Sequence, residues 1–271
     1  MKNIAGRPAI PNHGDVARRT TAERLGDLDL EAHLADPAIK QRFVTPMFDI
    51  IAPRYDRFTR VFSFGMDRHW KAELTARMRS ALTPRSRVLD LACGTGDLAF
   101  AAADLAVDGS VLGIDASSRM IDLARERARR EVPSGVVRFE VGDMSRLDLP
   151  AASIDAVSAG YALRNVPDYE QAVREIARVL RPGGTLATLD FYRPETAWWR
   201  VLLLTYLSAA GNWVGWLWHR EPVVYGYIAR SIDHFVSWQR FSATLERHGL
   251  RVDAVRTKLF GGVALHFATR R

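Results

Sequence analysis

Residues 88–99 read VLDLACGTGDLA, a short apolar run that breaks into a glycine loop and resumes as a helical pattern. A buried strand followed by a loop and a helix is the repeating unit of an α/β sheet, and such sheets bind ligands at the carboxyl ends of their strands, where this loop falls. Gly94 and Gly96 let backbone approach a ligand closely. A dinucleotide fingerprint needs a third glycine near Leu98 or Ala99 and sets a pyrophosphate over the helix N-terminus. That glycine is missing, and Asp90 and Asp97 bracket the loop with negative charge. Carboxylates so placed repel a pyrophosphate but suit a ligand carrying an ammonium and a sulfonium, as S-adenosylmethionine does.

Outward from the loop, VLGID (111–115), VVRFEV (136–141), IDAVSAG (154–160) and TLATLDF (185–191) read as further buried strands. Helical patterns near 97–105, 117–130 and 168–180 alternate with them, which predicts a mostly parallel sheet covered on both faces. RPGG (181–184) is expected to end the helix before the fifth strand, with glycine supplying a positive φ. FSATLERHG predicts a late helix capped by Gly249, and LRVDAVRT and GGVALHFAT predict two final strands. Asp115 closes the second strand, where its carboxylate can accept from ribose hydroxyls or cap the helix that follows. Asp143 closes the third strand, either as a plain turn residue or as acceptor for an adenine amino group with Met144 against the ring.

The chain has 271 residues, 48% of them hydrophobic, enough for one full core. Residues 1–38 read as an arm with little periodicity, 39–83 as a helical cap of at least two helices broken near Pro53 and Gly65, and 84–271 as the main domain. The single Cys93 excludes an internal disulfide, and no Cys/His cluster has zinc spacing, so no metal is expected. The first residues lack the apolar run of a secretory signal, which points to the cytoplasm. The net charge of +7 comes almost wholly from arginine, yet no arginine-dense block interleaves with aromatics as nucleic-acid tracking requires, so no nucleic-acid partner is expected.

MFDIIAPRYDRFTRVFSFGMDRHWK (47–71), VLDLACGTGDLA (88–99), GYALRNVPDYEQAVREIARVLRPGG (160–184), YGYIARSIDHF (225–235) and GGVALH (261–266) together resemble a known family. The chain is similar to class I S-adenosylmethionine-dependent methyltransferases, and more narrowly to those that C-methylate the ring of ubiquinone and menaquinone precursors. The glycine block is class-specific; ALRNVPD and RSIDHF carry the narrower resemblance. Thr59, Phe62, Tyr161-Ala162 and FYRPE (191–195) depart from the usual pattern. The resemblance implies a Rossmann-like fold with a seven-stranded, mostly parallel sheet, and cofactor contacts at Thr95, Asp115, Asp143, Met144 and Gly160, the last through backbone. Asp90, Gly94 and Gly96 join that set from the loop itself. It also implies a polyprenyl quinol acceptor, demethylmenaquinol ahead of a benzoquinol.

Methylating a ring carbon requires an electron-rich carbon, which a hydroquinol offers once the neighbouring phenol, ordinarily near pKa 10, loses its proton. Arg164 is the expected electrostatic stabiliser of that phenolate, with Asn165 orienting the same oxygen. Tyr55 and Asp56 are expected to close over the donor or assist deprotonation, and His266 and Tyr227 are weaker proton-handling candidates. Competing readings are an O- or N-methyltransferase on the same fold and a non-catalytic, membrane-associated binding subunit.

Residues 197–220, AWWRVLLLTYLSAAGNWVGWLWHR, hold five of the seven tryptophans, and 201–218 carry no charge. That length borders on a bilayer span. A span would, however, separate strands of one sheet, and Gly211, Asn212 and Gly215 predict two short helices instead. The insertion at about 195–238 is therefore expected to be an interfacial lid and tail-binding wall, the alternative being a core or homodimer contact. Peripheral association with the inner face of the cell membrane follows.

Overall fold

The computed structural model describes residues 37–52, 59–60, 63, 65–131, 136–218 and 223–271. Among the described residues the helices α1 (Pro37–Ile51) and α2 (Met66–Arg79) precede the first strand. Beyond them β1 (Arg87–Leu91), α3 (Asp97–Ala103), β2 (Ser110–Asp115), α4 (Ser118–Glu131), β3 (Val137–Val141) and β4 (Ile154–Gly160) follow in order. Then come α5 (Tyr169–Val179), β5 (Leu180–Phe191), α6 (Ala197–Trp218), α7 (Val223–Asp233), α8 (Trp238–Arg247), β6 (Leu250–Lys258) and β7 (Val263–Arg270).

The strands form one sheet in the order β3-β2-β1-β4-β5-β7-β6. β1 to β5 run parallel, and β7 is antiparallel to both β5 and β6. The near-continuous apolar runs are explained by burial on both faces: Leu89, Leu91, Val157, Leu186 and Leu265 are fully or almost fully buried. Strand order reverses direction between β1 and β4, and the crevice that such a reversal opens outside the carboxyl ends of the two strands is where open α/β sheets bind ligands.

The cap helices bury Met47, Ile51, Trp70, Leu74 and Met78 in the same apolar cluster as Val88 and Leu265 of the sheet. Leu74 is completely buried. Its truncation removes about 2–5 kcal/mol of transfer and cavity energy.

Two expectations are corrected. RPGG does not cap the helix; α5 stops at Val179, with Leu180 already extended and paired to Ile154, so residues 181–184 lie inside β5. Gly183 does take φ +75°, but within the irregularity where the β4–β5 register shifts. The apolar insertion, expected as two short helices, is one 22-residue helix, α6. An interior glycine costs only about 1 kcal/mol against alanine, too little to break a run otherwise rich in Leu, Trp and Ala.

Among the described residues no helix is long and apolar enough to cross a membrane. The insertion is anchored at both ends in the sheet domain: Phe191 pairs with Val263, and Tyr192 N–H donates to Gly262 O. Arg193 N–H donates to Val236 O at 3.1 Å, so the excursion between them starts and finishes at one point.

Candidate functional site

Four strand ends build the crevice. The loop after β1 alternates positive φ at Ala92 (+50°), Gly94 (+54°) and Gly96 (+94°), and Tyr161 after β4 has φ +57°. Ala92 and Tyr161 carry side chains in a conformation that disfavours them, the sort of strain that collects at ligand sites. A cleft of about 670 Å³ opens over this loop, walled by Gly94, Asp115, Asp143, Met144, Gly160 and Asn165 and covered by Val44, Thr45 and Phe48 of α1.

A smaller recess beside it is lined by Lys71, Asp90, Gly94, Thr95, Asp97 and Gly160. Gly94, Thr95, Gly160, Asp90, Asp115, Asp143 and Met144 thus all face one of two adjoining cavities. Gly96 faces neither. Its missing side chain serves packing, since a β-carbon there would meet the Phe100 and Phe139 rings at 2.8 Å each.

Asp90 is 1% exposed; its Oδ1 accepts from Ser158 Oγ at 2.7 Å, while Oδ2 has no hydrogen-bond partner. Burial pushes its carboxyl up to about 7, against the lowering effect of the Ser158 bond. A buried carboxylate oxygen left open costs free energy until a donor fills it. An ammonium group in the recess would meet that need, so the residues present fit the methionine end of S-adenosylmethionine.

Asp115 lines the cleft but does not cap the helix that follows; that cap is Ser117, whose Oγ accepts Met120 N–H at 3.1 Å. Its Oδ1 accepts from Ser117 N–H and its Oδ2 from Gly94 N–H, each at 2.8 Å, so it stiffens the loop and the start of α4 while lining the cleft. Each oxygen retains acceptor capacity for a ribose hydroxyl. Burial raises its carboxyl despite those two bonds. Asp143 is a turn residue as well as a cleft residue, accepting Ser145 N–H at 2.8 Å.

Asp97 does not act as a bare negative charge. Lys71 Nζ lies 2.9 Å from one oxygen and Arg127 Nη1 2.6 Å from the other. Burial raises its carboxyl, but the two cations outweigh this and hold it below the usual range. Selection against a phosphate at this loop therefore rests on Asp90 and Asp115.

On the acceptor side Arg164 is buried, and its Nη1 meets Asp190 Oδ1 at 2.6 Å and Tyr161 O at 3.1 Å. Its guanidinium lies 5.5 Å from the Phe191 ring centroid and 5.8 Å from that of Tyr161. The charge partner is Asp190 at the end of β5. Asn165, by contrast, lines the cleft: its Nδ2 donates to Tyr161 O at 2.8 Å and its Oδ1 accepts from Tyr227 OH at 3.0 Å. Burial pushes the Tyr227 hydroxyl above its ordinary value, so Tyr227 is a neutral donor.

His266 lies on β7, fully buried, with Nε2 3.0 Å from Ser242 Oγ and Nδ1 3.3 Å from Tyr192 OH. Burial lowers it to about 4. It is a neutral core histidine among aromatic rings. Tyr55 and Asp56 lie outside the described residues, as does the arm before residue 37.

Two residues were missed in the sequence. Lys40 of α1 donates to Arg164 O at 2.8 Å and Val166 O at 2.9 Å, and burial followed by the Arg164 charge lowers it to about 8. Asp49, one helix end away, accepts from Ser117 Oγ. Together they hold α1 across the cleft at both ends. The usable signal was composition: only four lysines stand in this arginine-rich chain, and the compact ammonium of Lys40 matches a pair of carbonyls.

The model of the ubiE/COQ5 methyltransferase family matches residues 37–270. A demethylmenaquinone methyltransferase of Deinococcus radiodurans is 36% identical over 88% of the chain and 97% of that protein. A 2-phytyl-1,4-naphtoquinone methyltransferase of Synechococcus elongatus is 41% identical over 63% of the chain and 72% of that protein. Among solved structures, the geranyl diphosphate C-methyltransferase of Streptomyces coelicolor superposes with a TM-score of 0.58 at 15% identity, covering 78% of this chain and 82% of that one, a likeness of fold.

Proposed function

The chain belongs to the ubiE/COQ5 methyltransferase family, and from that premise we propose that it transfers a methyl group from S-adenosylmethionine to a ring carbon of a polyprenyl quinol, with demethylmenaquinol as the acceptor. The observation that carries this is the pairing of relatives named for naphthoquinone methylation over most of the chain with a cleft that joins the donor-side carboxylates to Asn165.

The donor supplies an electrophilic methyl on a sulfonium. Asp90 holds the α-ammonium, Asp115 the ribose, and Asp143 with Met144 the adenine. Gly160 keeps the wall thin where donor and acceptor meet, because a β-carbon there would press Leu98 Cδ1 at 3.0 Å. α1 excludes water from above. The Asn165 amide, held by Tyr161 O and Tyr227 OH, points its second N–H at the acceptor oxygen and favours its ionised form. Arg164 acts through this arrangement: paired to Asp190, it fixes the Tyr161 carbonyl on which Asn165 is oriented.

The test uses the purified protein, anaerobically reduced demethylmenaquinol and trideuteromethyl-labelled donor. Mass spectrometry and NMR of the product should locate the label on the ring carbon adjacent to the prenyl substituent. A label on oxygen would replace this reading with O-methyl transfer, and donor binding without turnover on any quinol would replace it with a binding subunit.

A further inference from the structure

Large apolar side chains that stand in water gather at one end of the molecule. Trp198, Val201, Leu202 and Tyr206 of α6 are exposed, and Phe260, in the short turn between β6 and β7, is 82% exposed. Elsewhere among the described residues only Val107 and Val141 are large and exposed, each alone, which is ordinary for a protein surface. The α6 residues recur at i, i+3, i+4 and i+8, a single helical stripe, while Leu203 and Leu207 face inward.

The turn and the helix are one construction. Trp199 Nε1 donates to Leu259 O at 2.8 Å, and the Trp199 and Phe260 rings meet edge to face at 5.3 Å. Gly262 has no space for a β-carbon, which would meet Leu203 Cδ2 at 2.7 Å. Leu259 and Phe260 have φ of +47° and +48°, a left-handed conformation unfavourable for both. The fold keeps that strain and with it an exposed phenyl ring.

We propose that the α6 stripe and the Phe260 turn form a single wedge that docks onto an anionic phospholipid bilayer. Tryptophan and tyrosine beside aliphatic side chains suit the depth where headgroups meet acyl chains. α6 has no acidic residue, and Arg200 is its one charge. From Asp190 onward eleven Lys/Arg face six Asp/Glu, an excess of five positive charges. An anionic surface complements Arg200 and the absence of acid on α6, whereas a second copy of the chain docked on this helix would set like charge against like. Delivery of a lipid-soluble acceptor from the same bilayer rests on the methylation reading; the docking does not.

The experiment floats the full chain with vesicles of phosphatidylcholine alone and with ~30 mol% phosphatidylglycerol. Partition into the anionic vesicles should exceed that into neutral ones by about tenfold at low salt and should fall at least about tenfold in Val201→Ser/Phe260→Ser, since each substitution removes an exposed apolar side chain that the bilayer would bury. Phe260→Gly, whose backbone tolerates the turn, should show part of the same loss. The S-adenosylmethionine affinity of all variants should match the parent, and the Val201→Ser/Phe260→Ser protein should remain folded at the assay temperature, while Phe260→Gly relieves the left-handed strain at that position. Parent protein left behind by both vesicle types, or a dimer by light scattering that the same substitutions dissolve, would overturn the proposal. Neither result bears on whether the enzyme methylates a soluble short-tailed quinol.

Discussion

Donor binding should carry a proton signature written by Asp90. With its carboxyl pushed to about 7 by burial, Asp90 is largely protonated at pH 6, and a neutral carboxyl cannot neutralise the donor's ammonium. Binding must then expel a proton. The donor's own α-amino group titrates near 8, so the competent pair, carboxylate with ammonium, is most abundant near pH 7.5. Multiplying the two fractions gives an affinity about sixfold weaker at pH 6 than at pH 7.5, with close to one proton released at pH 6. Calorimetry in two buffers of different ionisation enthalpy measures both quantities. Asp90→Asn should weaken binding at pH 7.5 and abolish the acid limb. A parent protein whose affinity is flat from pH 6 to 7.5 with no proton release would refute the assignment of the ammonium to Asp90.

Arg164→Ala should destabilise the fold by about 3–5 kcal/mol in urea titrations, because Asp190 is left charged and buried; pairing Arg164→Met with Asp190→Leu should recover much of that loss. Tyr227→Phe, which leaves Asn165 Oδ1 without its donor, should lower kcat several-fold with little change in donor Kd, as read by steady-state kinetics beside calorimetry. His266 has a folded pKa of about 4 against an ordinary 6.5, so the unfolded chain binds more protons between those values and stability falls as pH drops through that window. The loss is about 3 kcal/mol, and His266→Gln should remove it from the pH dependence of the unfolding midpoint. Leu74→Ala should cost about 2–5 kcal/mol without altering the pH profile of donor binding.

The parallel sheet and its glycine loop could be read from residue order, because strands buried on both faces leave short continuous apolar runs that alternate with helical patterns. Asp90 and Asp115 were identifiable for a related reason: Asp115 is the last residue of its strand and Asp90 the next to last of its own, and the carboxyl end of a strand is where the crevice lies. What distance in sequence hides is pairing. Asp190 and Arg164 stand 26 residues apart, and Lys40 reaches its two carbonyls across more than 120 residues. No local pattern encodes that contact. The continuity of α6 was hidden differently, since Gly211 and Gly215 weigh against a helix only mildly and their apolar neighbours outweigh them. RPGG misled because a glycine with positive φ serves a strand irregularity as well as a helix cap.

The hydrogen bond between Arg193 N–H and Val236 O gives the insertion the character of an interchangeable part. Chain that departs and returns at one point can be lengthened or shortened where it does not pack on the sheet, since doubling such a loop adds only about 0.6 kcal/mol of closure entropy, whereas Leu203, Leu207, Tyr227 and Ile232 share the apolar cluster of Leu265 and stay. The residues proposed to hold the donor all lie outside it. A descendant therefore acquires a new acceptor by changing those residues of the excursion that do not join that cluster, leaving the methyl-donor half to be inherited unaltered.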